Sequence, residues 1–357
     1  MKMANQKMIQ LPVIEKSRGF GLVELMVAVV ISLILLGGIG YVYLGSRQTF
    51  RTQDDFSRIQ ENVRYALDQV GVDVRMAGYS GCVNLSSIDP KNPTAMPINV
   101  IANGAPAVGL AEAMRGYATA TWTAPGTVPA NWVANTGVFQ VTRAEAQGVN
   151  LVGNMTATNA NIQINGNPAG FVAEQALLIS DCSSADLFRA TNVSSGGTVT
   201  IAHSIANCAN IGMACNTSVN LSKAYGSDAE IYGVLSTTYF IGTNAAGNPA
   251  LYRRQQIGTV TGTAEEMVEN VENIVMRFGV DTNNDVVIDS YAAPGAVADW
   301  RQVLTARLSM VFRSNSNIVA TQVQPYVVEG TTVTPGSTDR RLRRVATSTF
   351  GLRNRLP

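Results

Sequence analysis

From Phe20 to Leu44 the chain reads FGLVELMVAVVISLILLGGIGYVYL, and Glu24 is the only charged residue in that run. As a helix these 25 residues extend about 37 Å at about 1.5 Å per residue, enough to cross a hydrocarbon core of about 30 Å with some tilt. The pattern then changes. Phe56, Ile59, Val63, Leu67, Val70 and Val74 recur on one helical face, with Arg58, Glu61, Arg64 and Asp68 mostly opposite. No proline occurs between Pro12 and Pro90. The spacing therefore predicts one helix of roughly 55–58 residues, from Phe20 to about Ala77, ended by Gly78. Gly37, Gly38 and Gly40 fall inside the apolar half. Close helix packing accounts for them, and a segment that unwinds on assembly is the sharper alternative.

After Gly78 the chain turns to Gly, Asn, Ala, Thr, Ser and Pro, with short apolar or alternating runs at 138–142, 171–179, 198–201, 229–241, 274–280, 303–313 and 343–352. Turn signals such as Asn165-Gly166-Asn167-Pro168 and Ser195-Gly196-Gly197 lie between them. An antiparallel β head with long loops follows, with Ala264–Asn273 as one further amphipathic helix. Residues 92–170 carry the least pattern. The fold class is α+β, and the boundaries are 1–19 as a leader, 20–45 as the spanning helix, 46–78 as its amphipathic extension and 79–357 as the head.

Composition narrows the function. Charged residues are 14% of 357, and 26 Lys+Arg against 25 Asp+Glu leave a net charge of +1. A protein that binds nucleic acid through its overall field carries a strong basic excess, so nucleic acid is not an expected partner. A single histidine, His203, limits imidazole catalysis and His-ligated metals, and it is expected on a surface or strand. Gly78-Tyr79-Ser80-Gly81-Cys82 ends in cysteine where a nucleophile elbow needs glycine, and it follows a helix. No phosphate-binding G-x-x-x-x-G-K-[ST] is present. The expectation is a protein without catalysis and with no required cofactor.

Lys2, Lys7, Lys16 and Arg18 precede the apolar run against one acid, Glu15. That flank keeps the leader in the cytoplasm and sends the bulk of the chain outside. An ordinary secretory signal would end its apolar region in a small-residue site; here the small residue, Gly19, comes first. A plain anchor leaves Glu24 unexplained, because a carboxylate in an apolar helix is costly and is usually paired. Outside the cytoplasm, four cysteines (Cys82, Cys182, Cys208 and Cys215) point to disulfides, with three pairings possible. Cys208 and Cys215 enclose a small loop, and Cys82 with Cys182 would then tie the helix end to the sheet.

Arg18-Gly19-Phe20-Gly21-Leu22-Val23-Glu24-Leu25 resembles the class III signal of type IV pilins and type II secretion pseudopilins. That resemblance implies cleavage between Gly19 and Phe20 by a prepilin peptidase, methylation of the new amine on Phe20, and an assembly role for Glu24 as the fifth mature residue. A free amine and a carboxylate, each costly alone in an apolar medium, become tolerable as a pair between neighbouring subunits. Further along, Met76–Cys82, Ser180-Asp181-Cys182, Ala185–Phe188, Val271-Glu272-Asn273-Ile274, Arg277–Asp281, Arg343-Arg344-Val345 and Arg353-Asn354-Arg355 together look like the PilW family of minor pilins. The resemblance implies a pilin-like fold and a low-abundance subunit of pilus priming or of a tip complex. Its implied partners are other minor pilins, the major pilin and the inner-membrane assembly machinery. The protein would be held in the inner membrane with a periplasmic head before joining the pilus. The J-type type II secretion pseudopilin is the nearest rival, and a membrane-anchored extracytoplasmic enzyme is the rival of another class.

Two clusters remain. Asp281, Asn283, Asp285 and Asp289 space oxygen side chains as a hard cation such as Ca²⁺ would want, although Val286 stands where an EF-hand needs glycine. The same residues also make an ordinary polar turn. Arg340, Arg341, Arg343 and Arg344, with Arg353 and Arg355 beyond, read as a solvated strand edge or a subunit contact.

Overall fold

The computed structural model describes residues 19, 21–83, 98–103, 109–117, 120, 122–124, 126–153, 155, 159–209, 214–257, 260–317 and 319–355. Its first element is a helix of 54 residues, Leu22–Arg75. The predicted end at Ala77 falls in the turn that follows. There Gly78 takes φ +72° and its N–H donates to the Thr142 carbonyl at 2.9 Å, a left-handed stop that glycine adopts without steric cost. Gly37, Gly38 and Gly40 are helical like their neighbours.

By contact the chain divides into two compact units after Gln53. In the first unit the helix is apolar on all sides as far as Leu44, and its large hydrophobic residues are exposed, Leu22 at 78% and Tyr41 at 82%. It is also the one helix among the described residues long and apolar enough to cross a membrane. Near its end the Thr49 hydroxyl donates to the Gly45 carbonyl at 3.0 Å, which satisfies a polar side chain without help from outside the helix.

The second unit contains the rest of that helix and the head. Its centre is the strand Glu230–Thr243, buried from Ile231 to Gly242. This strand pairs antiparallel with Val138–Ala144, Pro249–Ile257 and Ala176–Ser180 within a ten-stranded sheet. A four-stranded antiparallel sheet follows in the order Ser290–Ala292, Val271–Val280, Val303–Arg313, Arg343–Gly351. Ile59, Ala66, Val70 and Val74 of the helix join Phe139, Tyr239, Ile274, Phe278, Leu308, Met310 and Phe350 in one core. A separate core with Ile162, Ile164, Phe188 and Ile201 lies under the small sheet around Asn161–Asn165 and Thr198–Ala202. The fold is α+β, as expected.

One predicted element is corrected. Ala264–Asn273 is not a helix; Glu265–Glu269 is a strand paired with Pro249–Ile257, with Arg253 opposite Glu265 and Leu251 opposite Val268. Asn270, at φ +61°, then turns the chain into Val271–Val280. The apolar spacing of three and four residues at Met267, Val268, Val271 and Ile274 mimics a helical face, but it arises from two strands on either side of a turn. The run predicted at 171–179 is a strand only from Ala176. Ile98–Val100, Met114–Tyr117 and the single helical turn Gly109–Glu112 were not legible in their weakly patterned stretch.

Candidate functional site

The helix starts with a carboxylate turned backwards. Glu24 lies in the first turn, and its Oε2 accepts the Gly21 N–H at 2.9 Å. This is the reciprocal half of a capping box, in which an acid at the third helical position satisfies an amide that the helix leaves unpaired. The negative charge also lies at the positive end of the helix dipole. The side chain thus points back toward the amino-terminal end of the helix. Gly19 itself is exposed. Phe20, the predicted cleavage and methylation residue, lies outside the described residues, as does the basic leader before Gly19.

Beyond the helix both disulfides pair as the spacing suggested. Cys82 joins Cys182 across 100 residues with Cα atoms 5.0 Å apart, and Cys208 joins Cys215 across seven with Cα atoms 5.4 Å apart. The first bond ties the chain just past the helix to the turn between the strands Ala176–Ser180 and Ala185–Arg189. The helix end is therefore covalently held to the ten-stranded sheet.

In the 281–289 loop the polar side chains bond the loop's own backbone. The buried Asp281 carboxylate accepts the N–H groups of Asp285 at 3.2 Å and Val286 at 2.8 Å. Asp289 accepts the Thr282 N–H at 2.7 Å and its hydroxyl at 2.5 Å. Asn283 Oδ1 accepts the Asp285 N–H, and Asp285 Oδ1 that of Val287. Among the described residues no three His, Cys, Asp or Glu side chains gather to hold a metal ion.

The arginine cluster is also revised. Arg343 is not solvated: only 2% of its side chain is exposed. It donates to both carboxylate oxygens of Glu272, at 2.7 and 2.9 Å, and to Asp339 at 2.6 Å. Burial alone would raise the Asp339 carboxyl, but the Arg343 guanidinium and the Arg341 amide outweigh it and hold the group at about 2. Arg355 is buried as well, which lowers its guanidinium to about 10. Arg340 and Arg344 remain exposed, with Arg344 over the Phe56 ring at 5.6 Å. His203 is fully buried beside Phe188 rather than at a surface, and burial lowers its imidazole.

Sequence reasoning missed Asp73. Its Oδ2 accepts the Tyr239 hydroxyl at 2.7 Å, joining the amphipathic half of the helix to the central strand. The signal was present: an acid sits between Val70 and Val74, on the face that the apolar spacing assigns to the core. Asp186 was missed too. It is fully buried and held by Asn99, Ser222 and Tyr225, partners far apart in sequence.

A long helix that is apolar in its first half, opens on a backward-turned carboxylate and packs its second half on an antiparallel sheet defines the pilin-like class. The comparisons agree. Residues 15–40 match the prokaryotic N-terminal methylation motif, and residues 238–354 match the family described as Type IV Pilus-assembly protein W. The second match runs from the central strand through the four-stranded sheet and takes in Val271–Ile274, Arg277–Asp281 and Arg343–Val345. No curated protein and no solved structure gives a significant match. Together the two matches support a type IV pilus-related, pilin-like protein with an amino-terminal membrane anchor.

Proposed function

We propose that this chain is a minor pilin of the type IV pilus, acting in pilus priming or in a tip complex, with no catalytic role. The observation that carries the reading is the pairing of an exposed apolar helix with Glu24 turned toward its own amino end. In the membrane-held subunit the carboxylate is capped by its own chain. On assembly the apolar helix moves from lipid to the packed helices of other subunits, and Glu24 exchanges that cap for a neighbour's amine. Neither charge is then left alone in a low-dielectric surrounding. The head lies in the periplasm before assembly and selects partners among other pilins.

Mass spectrometry of the mature full-length protein, unreduced and reduced, tests this. The expected amino terminus is methylated Phe20, with two intact disulfides. A start at any other residue removes the basis of the reading. The match at 238–354 favours a pilus subunit over a type II secretion pseudopilin. Deletion separates the two, with loss of pili expected and normal exoprotein release.

A further inference from the structure

The strand Arg343–Gly351 closes one side of the four-stranded sheet and is nine residues long. The other side of that sheet ends on Ser290–Ala292, and the ten-stranded order ends on Ile98–Val100 and Val260–Thr261, strands of three, three and two residues. Short edges protect a sheet from pairing with another chain, as do charges, proline and bulges along an edge. The long edge lacks these devices. It follows Val303–Arg313 in unbroken register, and residues 345–350 contain neither a charge nor a proline. The ladder shows which backbone groups face outward. The Leu352 N–H donates to the Leu304 carbonyl and the Ser314 N–H to the Leu342 carbonyl, both at 2.9 Å. Bonded pairs alternate along an antiparallel ladder. Even-numbered residues therefore bond inward, and the N–H and C=O of Val345, Thr347 and Thr349 point away from the sheet. Among the described residues no backbone partner takes them, and the hairpin of Tyr326–Val328 with Thr331–Val333 pairs only with itself. Thr347 and Thr349 are exposed. Charge is a separate observation. Arg340 and Arg344 at one end of the strand and Arg353 at the other are exposed and enter no ion pair among the described residues, whereas Arg341 and Arg343 beside them are paired.

We propose that this edge receives an extended segment of a neighbouring pilin-like subunit, which adds a strand to the sheet and sets carboxylates against Arg340, Arg344 and Arg353. A strand supplies donors and acceptors in the alternation that Val345, Thr347 and Thr349 present, and its acids answer the three cations. A phosphate surface would pair the arginines but leave the outward carbonyls without donors. A second copy of the same strand would bring the same unpaired arginines, and like charges across a ladder are destabilising. That the neighbour is pilin-like rests on the function proposed above.

The test uses the full-length protein in pilus-forming cells, carrying Thr349→Pro or Thr349→Val, beside Glu24→Ala as reference. Proline removes an outward N–H without touching the inner ladder, and valine keeps it. The expected result is a fall in surface pili of about tenfold with proline, because the neighbour's carbonyl loses its donor. Valine should leave pilus numbers at the wild-type level, and membrane level should be unchanged in both. If proline lowers that level, Arg340→Glu with Arg353→Glu is read instead, with a fall in pili expected and wild-type numbers against the proposal. A photo-crosslinker in place of Thr349 then reports the occupant. Adducts on an acid-bearing segment of another pilin-like chain, with pili of the arginine variant restored by exchanging those acids for lysine, support the edge. Wild-type pilus numbers overturn it, as do an equal fall with valine, absent adducts, or adducts confined to lipid or to a second copy of this chain. Loss of pili in Glu24→Ala alongside normal pili in the edge variants sinks only this inference, whereas normal pili in Glu24→Ala count against the assembly reading itself.

Discussion

Residues 22–53 and 54–75 belong to one unbroken helix, yet they obey opposite rules. In the first stretch large apolar residues face outward on every side, among them Leu33, Ile34, Leu36 and Ile39. In the second, Ile59, Ala66, Val70, Gly71 and Val74 are buried on one stripe, and the outer face carries ion pairs such as Arg64–Glu61. Helical backbone alone therefore says nothing about what covers a helix. An amphipathic stripe meets its partner within the chain. A helix apolar all round leaves its hydrophobic demand to be met by lipid or by other subunits.

The sharpest way to break that comparison is at Glu24. Glu24→Ala is expected to lower surface pili by about a hundredfold or more, the scale on which losing a buried charge pairing acts, while membrane level and head stability stay unchanged. Pilus counts by electron microscopy beside immunoblots of membrane fractions check it. Opening Cys82–Cys182 with paired serines comes next and acts only on the second region. Loop entropy assigns about 4–5 kcal/mol to a 100-residue closure and about 2 kcal/mol to a seven-residue one. The Cys208/Cys215 pair should thus cost roughly half as much in thermal unfolding of the detergent-solubilised protein.

A glycine pair probes the two regions directly. A Cβ at Gly71 would sit 2.7 Å from the Phe350 ring, whereas one at Gly38 meets nothing within 4 Å. Gly71→Leu should destabilise the head by about 1–3 kcal/mol, and Gly38→Leu should leave its melting unchanged. Asp73→Asn should cost about 1 kcal/mol, with Tyr239→Phe non-additive in a double-mutant cycle. Acid gives the gentlest separation. The Asp339 carboxyl is held down, at about 2 against its ordinary 3.8, so its contribution is complete above that ordinary value. It is lost as pH falls from there through about 2. Head melting temperature should drop across that window, and Asp339→Asn should flatten the step.

Much of this was legible beforehand because it depends on neighbours in the chain. The helix, the position of Glu24 in its first turn, the change of period near Phe56 and the stop at Gly78 all follow from local spacing and backbone sterics. The strands at 138–144, 230–243 and 303–313 were legible because long apolar runs bounded by turns admit few alternatives. The Glu265–Glu269 strand was not, since an apolar spacing of three to four serves either a helix or two strands hinged at Asn270, and only pairing with Leu251 and Arg253 decides. Arg343 read as solvated because nothing near it in sequence announces Glu272, 71 residues away.

What the amino-acid order determined alone is the division of labour along the first 80 residues: an apolar stretch, a carboxylate at its head, and an amphipathic continuation. Those are properties of residues a few positions apart, and short-range geometry sets them. Tertiary structure alone decided which oxygens and cations are spent inside the molecule, from Asp281 on its own loop amides to Arg343 on Glu272 and Asp339. A charge is satisfied by whatever folding brings within about 4 Å, the reach of an ion pair, and distance along the chain does not measure that.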